Sequence, residues 1–400
     1  MHIPRTLALI LAGGKGSRLK SLTEERVKPA LPVGGTFRLI DIALSNLAHS
    51  HLSDVGLIEQ FLPHALNEYL SAGRPWDLDR NHGGLQVLLP FEGGPGEGFA
   101  TGNADSIHRH RTFIRKHGTD HVLILSADHL YTMNFLDVLD THVDEDADLT
   151  IVTTLIAEKA SRYGVVQVDE DGRVTRFDYK PEHPEGNLVT TEVFLYKTEA
   201  LLDALDLLKE RDGELGDYGE QLVPWFVEHK KVVEHRHDGY WLDLGTIQSY
   251  WTANLQLLDG DGATLDDPTW RIYSALPQLP PARVVDTAEV RNAMLSSGCR
   301  VEGTVIHSVI GAGVTVHEGA TVTDSVVLDG ATIGPGVSLI NCIVSIGAEV
   351  TGGSIRGSAE HVTLIGPDGL VDEREPLDQE AELPRGFKEK ASDEAELPEA

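Results

Sequence analysis

The stretch Leu7-Ala8-Leu9-Ile10-Leu11-Ala12-Gly13-Gly14-Lys15-Gly16-Ser17-Arg18-Leu19 decides how the first half of the chain reads. Its apolar start suits a parallel strand covered on both faces. Gly13, Gly14 and Gly16 then allow a sharp bend that brings backbone N–H groups close to an anion, and Lys15 and Arg18 add full positive charge. The pattern describes a polyphosphate cradle at the carboxyl end of a first strand. A Gly-rich turn that merely leaves a strand would have the same sequence. Spacing excludes two sharper motifs. A Walker loop needs Ser or Thr where Gly16 stands, and the dinucleotide fingerprint needs a glycine where Leu19 stands.

The 400 residues carry a formal charge of −30, which argues against nonspecific binding to nucleic acid or to an anionic membrane. If such a chain handles anionic substrates, it must gather its few cations, and a divalent metal, at one place. Lys15, Arg18, Lys20, Arg26 and Lys28 do cluster near the first turn. No apolar run is long enough to span a bilayer, and the run at Leu7–Ala12 does not resemble a signal-peptide core. Cys299 and Cys342 are the only cysteines, too few for a disulfide framework, so a reducing cytoplasm is expected.

Strand and helix patterns alternate over roughly residues 1–255, the signature of an α/β domain. Residues 27–38, rich in Pro and Gly, form an ordered loop, and 39–50 has helical spacing. Strands are expected at 55–58, 85–89, 121–127, 149–155, 164–168, 174–177, 192–196, 232–235 and 239–242. Helices are expected at 63–70, 103–116, 135–143, 200–209, 220–227 and from Thr246 to about Leu258. The Gly-rich segment 83–102 reads as a strand followed by a mobile loop. Residues 265–290 lose any clear period and read as a linker.

From Gly298 a six-residue step appears: Ile310, Val316, Val322 and Leu328, then, after a slip of one, Ile333 and Leu339, with Ile346 near the next. One inward aliphatic per six residues fits a short parallel β-helix. A β-sandwich would alternate in twos. The expected organisation is therefore a domain over 1–258, a linker over 259–297, a β-helix over 298–370, and an acidic, disordered tail over 371–400.

These motifs together resemble the sugar-1-phosphate nucleotidyltransferases, and within them the ADP-glucose pyrophosphorylase (glucose-1-phosphate adenylyltransferase) family. The likeness covers roughly residues 5–370. It is carried by 11–19, Lys28-Pro29-Ala30, Gly34–Asp41, Leu44-Ser45-Asn46, Gly102-Asn103-Ala104-Asp105, Ile124–Tyr131, Tyr163-Gly164-Val165, Tyr240–Thr246 with Tyr250-Trp251, and Pro280-Pro281-Ala282. The resemblance implies a Rossmann-like (GT-A-like) catalytic domain followed by a left-handed parallel β-helix in a cytoplasmic homotetramer. It implies a reaction of ATP with glucose 1-phosphate, giving ADP-glucose and pyrophosphate for glycogen or a related α-glucan. It implies Mg²⁺ held by Asp128 and Asp243. Arg18 and Lys28 would neutralise phosphates. Leu11, Ala12, Gly13, Gly14, Lys15, Gly16, Gln60, Gly102 and Asn103 would line the nucleotide. Gly164, Tyr179, Lys180, Thr190 and Glu192 would line the sugar phosphate. His129 is left as structural or orienting, because an already ionised phosphate needs no general base. Trp241 and Trp251 read as core.

Several positions depart from the family. Tyr179 stands where a Glu that accepts sugar hydroxyls is usual, and Thr190-Thr191-Glu192 replaces a Ser-Met-Gly-like stretch, so Glu192 could restore the lost carboxylate. Asn103 replaces Thr, Ala100 an aromatic residue, and Thr36 a lysine that bacterial relatives use for sugar-phosphate activators. Base and sugar choice therefore stay open, as does a catalytically silent regulatory subunit on the same fold. Acyl transfer by the β-helix, with only His307 and His317 as histidines before its terminal segment, is disfavoured.

Overall fold

A computed structural model describes residues 4–14, 16–92, 98–157, 160–262, 264–265, 267–353 and 355–378. Lys15, the Gly93–Glu97 part of the expected mobile loop, and the tail beyond 378 lie outside them. The chain divides into two compact units: residues 1–14, 42–127 and 132–241, and residues 15–41, 128–131 and 242–400.

Among the described residues, the first unit is built on a nine-stranded mixed sheet. Strand Thr6–Leu11 sits inside it, parallel to Asp54–Ile58 on one side and His121–Ser126 on the other. Leu7, Ala8, Leu9 and Ile10 have no exposed surface, because helices cover both faces of a parallel strand. Strand Gly84–Leu88 extends the parallel part. Beyond His121–Ser126 the long strand Leu188–Lys197 runs antiparallel and carries the hairpin Gly164–Val168 and Val174–Tyr179. The expected helix over 103–116 is two helices, Asn103–Arg109 and Arg111–His117, because His110 leaves helical geometry.

The second unit contains the turn after Gly16, the segments around Lys28 and Asp128, helix Ile247–Asp259 and the β-helix. Its parallel rungs repeat every seventeen residues, as in Val305–Val322–Leu339 and Val316–Ile333–Val350. Three sides of six, shortened by one, produce the slip seen in the sequence. Ile310 stacks on Val327, and Ile346 is only half-buried. The rungs begin before Gly298: Arg283–Val284 and Glu289–Leu295, within the stretch read as linker, pair in parallel with later strands. Val371–Pro376, within the stretch read as tail, pairs antiparallel with His361–Ile365. Both cysteines are buried and free. Trp251 is buried, and its indole N–H donates to the Asp324 carbonyl at 2.7 Å.

His307 ties the helix to the rungs. Its Nδ1 lies 2.5 Å from Asp324 Oδ1 and its Nε2 2.9 Å from Asp259 Oδ1. Burial disfavours the imidazolium, but the two carboxylates outweigh it and hold its pKa above the usual histidine value. The stabilisation is thus fully present below about pH 6.5 and is lost as pH rises through the folded value. His307→Gln is expected to lower the melting temperature most at pH 6 and less at pH 9, as read by calorimetry.

Candidate active site

In the second unit, strand His129–Tyr131 pairs with Trp241–Asp243. This pairing brings Asp128 and Asp243 together across 115 residues of sequence. Lys28, held in a short 3₁₀ turn beside Pro29, is buried, and its ammonium bridges the two carboxylates. It donates to Asp128 Oδ2 at 2.8 Å and to Asp243 Oδ1 at 2.9 Å. Burial alone would lower the lysine pKa, yet the facing carboxylates hold it above the usual value. Asp243 is held below the usual carboxylate range, because Lys28 outweighs the cost of burial.

His129, read from sequence as structural or orienting, joins this cluster. Its Nε2 lies 3.5 Å from Asp128 Oδ1 and 3.7 Å from Asp243 Oδ1. One ligand atom from each of Asp128, His129 and Asp243 falls within 4.8 Å of the others, the only such group of three among the described residues. The Nη2 of Arg18 also reaches the cluster. A Cβ on Gly245 would sit 3.0 Å from it and 2.8 Å from Asp243 Oδ2, so a side chain at 245 would crowd both. Gly16 takes a left-handed φ of +62°, and its carbonyl accepts from Thr23 Oγ1 at 2.9 Å. That bond closes the turn onto which Ser17–Thr23 folds.

In the first unit, Gly13 lies against Gln60: a Cβ there would come within 3.1 Å of Gln60 Cβ. Gln60 Nε2 donates to the Ala100 carbonyl at 2.5 Å. Gly102 packs so tightly that a Cβ would lie 2.2 Å from the Gly216 carbonyl oxygen. Asn103 Oδ1 accepts the Tyr218 N–H at 2.5 Å, and Thr101 Oγ1 donates to the Leu215 carbonyl at 2.8 Å. The 101–104 turn therefore clamps the loop 215–219.

That loop meets the sugar-side residues. Tyr179 Oη donates to Asp217 Oδ2 at 2.6 Å and accepts from Lys180 Nζ at 2.6 Å. A Cβ on Gly219 would fall 2.2 Å from the Tyr179 ring. Burial, reinforced by Asp217, pushes the Tyr179 hydroxyl far above its usual pKa, so it stays a donor. Gly164 packs under Phe177 and Thr190. Lys180 and Glu192 both have left-handed backbones, with φ of +48° and +59°. Each costs a residue with a side chain about 1–2 kcal/mol. The structure thus gathers Gly164, Tyr179, Lys180, Thr190 and Glu192 on one side of the first unit. It adds Asp217, Tyr218 and Gly219, which sequence reasoning missed. Their only signal was a Gly-flanked Asp-Tyr between two helices.

The Nucleotidyl transferase family matches residues 7–260, and a GlmU-like, C-terminal hexapeptide family matches 280–361. A glucose-1-phosphate adenylyltransferase of Bacillus cytotoxicus is 39% identical over 321 residues, 80% of this chain and 85% of that protein. That of Bacillus thuringiensis (strain Al Hakam) is 39% identical over 323 residues, covering 80% and 86%. The chain belongs to the glucose-1-phosphate adenylyltransferase family. It is a nucleotidyltransferase, whose nucleotidyl transferase domain is followed in sequence by a hexapeptide-repeat domain. Among the described residues no helix is long and apolar enough to cross a membrane.

Three of the positions read from sequence as departures, Tyr179, Asn103 and Glu192, are joined in the first unit through residues 217–219. Tyr179 contacts Asp217 and Gly219, and Asn103 fixes the backbone of Tyr218. Tyr218 in turn hydrogen-bonds Glu192. Thr36, in the second unit, donates to Ser296 Oγ at 3.1 Å, and the neighbouring Arg38 pairs with Asp329 at 2.7 Å.

Proposed function

We propose that the chain transfers the AMP moiety of ATP to glucose 1-phosphate, giving ADP-glucose and pyrophosphate, with Mg²⁺ held by Asp128 and Asp243. The observation that carries this reading is the convergence of those two carboxylates on Lys28. Their oxygens are the hard donors that Mg²⁺ prefers, and two suffice, because phosphate and water complete its shell. A cation already sits between them in the form of the Lys28 ammonium, so the spot favours positive charge. When bound, the metal supplies charge neutralisation of the polyphosphate.

The remaining chemistry belongs to this chain's side chains. A phosphate oxygen of the sugar phosphate forms the new bond to the α-phosphorus. The bond from that phosphorus to the β-bridging oxygen breaks, and pyrophosphate leaves with the electron pair. No proton need move, so His129 has an orienting role beside the carboxylates. Arg18 and Lys28, with Lys15, offset charge on the departing pyrophosphate. Leu11 to Gly14 and Gly16 let the backbone approach the nucleotide, and Gln60, Gly102 and Asn103 shape the base pocket. Lys180 swings from Tyr179 to grip the sugar's phosphate, beside Gly164, Thr190 and Glu192. The proposal extends to a cytoplasmic homotetramer, as the family resemblance implies.

The test is pyrophosphate release with ATP, UTP, GTP and dTTP, each against glucose, glucosamine and mannose 1-phosphates. ATP with glucose 1-phosphate is expected to be fastest. A different fastest pair would change base or sugar, and no release with any pair would favour a silent regulatory subunit. The neutral Thr36, engaged with Ser296, gives a second expectation. Fructose 1,6-bisphosphate should change turnover by less than about twofold, lacking the charge-assisted bond a lysine would make there. A large rise would refute it.

A further inference from the structure

Glu192 pays for its place. Its φ of +59° is a conformation suited to glycine, and it sits where the pairing of Leu188–Lys197 with Leu149–Leu155 loses register between Thr190 and Phe194. Thr190 Oγ1 accepts the Glu192 N–H at 3.1 Å, which holds the bulge through the backbone. The carboxylate hydrogen-bonds the buried Tyr218. That bond alone does not explain the strain, since glycine at 192 with phenylalanine at 218 would leave no unpaired group. Strain of this kind persists where function demands it.

The neighbourhood has acceptor capacity that packing leaves unused. Asp217 Oδ1 is buried and has no hydrogen-bond partner among the described residues. Tyr179 Oη donates to Asp217 Oδ2 and, while Lys180 stays on it, accepts from that ammonium, so the carboxylates are the strongest acceptors here. The hydroxyl-bearing face of a ligand fits these two carboxylates, while an anionic end suits the Lys180 ammonium at Tyr179.

We propose that Glu192 is a specificity-determining residue for the sugar: its carboxylate accepts ring hydroxyls of the sugar 1-phosphate, next to Asp217 Oδ1, and its left-handed backbone is kept for that contact. The inference rests on the reading that this face of the first unit takes a sugar 1-phosphate.

The experiment compares Glu192→Gly and Glu192→Gln in the full chain by three readouts. These are melting temperature, KM for glucose 1-phosphate and for ATP, and calorimetric Kd for glucose 1-phosphate. Glu192→Gly is expected to raise KM and Kd for glucose 1-phosphate by about tenfold or more, the effect of losing a hydrogen bond to a charged group. KM for ATP should stay within about twofold, and in the Glu192→Gly/Tyr218→Phe double variant, which leaves no buried hydroxyl unpaired, the melting temperature should rise by about 1–3 °C as the strain is released. Glu192→Gln, which keeps the strained backbone, should weaken sugar binding with no gain in melting temperature. A lower melting temperature with unchanged sugar binding would mean a purely structural residue and would overturn the proposal, as would equal rises in both KM values. The calorimetric arm separates the two readings. Tight, Glu192-dependent binding of glucose 1-phosphate without pyrophosphate release would count against nucleotidyl transfer and uphold the role of Glu192. No binding by the unaltered chain would overturn it.

Discussion

Asp243→Asn is expected to lower turnover by about 10³-fold, with little change in folding, because a preorganised charge at the reacting phosphates is worth several kcal/mol. The amide keeps an oxygen to accept from Lys28, so the bridge at 2.9 Å can persist while the second negative charge is gone. Asp128→Asn should behave alike. The double variant should be little worse than either single one, since two ligands of one ion act as a unit. Pyrophosphate release under saturating substrate, with calorimetry to confirm folding, checks all three. Activity within tenfold of the unaltered chain in either single variant would remove these carboxylates from the chemistry.

The second large effect is expected at Lys28. Its side chain is 6% exposed, and it faces Asp128 and Asp243, whose side chains are 29% and 15% exposed. Lys28→Met would leave two carboxylates confronting each other with no cation between them. Removing one partner of a buried pair costs about 3–5 kcal/mol, and the partial exposure of Asp128 places the expectation at the low end of that range. Activity should fall as well, because a charge aimed at the polyphosphate is lost. The distinguishing readout is metal dependence. Millimolar Mg²⁺ should recover more melting temperature in Lys28→Met than in the unaltered chain, since a divalent cation relieves the repulsion and binds only the folded state. Equal Mg²⁺ responses would mean that Lys28 and the metal do not share the carboxylates.

Much of this was legible in the sequence because its signals are local. The apolar run at Leu7–Ile10 sits in the sheet as read, and the aliphatics Ile310, Val316, Val322 and Ile333 all line the β-helix interior. The earliest rungs were not legible: Arg283–Val284 is exposed and no residue of Glu289–Leu295 is fully buried, so no strong inward period marks them. The break at His110 was hidden because neither Gly nor Pro marks it. At the site, Asp128, Asp243 and Lys28 were each readable by motif, but not the bridge that Lys28 makes between residues 100 and 215 positions away. The contact of Tyr179 with Asp217 spans 38 residues, and no pattern in either segment announces it. The positive φ of Glu192 is likewise invisible, since glutamate gives no hint of a glycine-like backbone.

A chain with a net charge of −30 is expected to gather two anionic reactants through a cation held by Asp128 and Asp243. Electron paramagnetic resonance of Mn²⁺–ATP, titrated with the protein, reads this directly. The expected result is a protein-bound Mn²⁺ signal in the unaltered chain and in His307→Gln, lost in Asp128→Asn and Asp243→Asn. The same bound signal in the Asp128→Asn/Asp243→Asn double variant would contradict it.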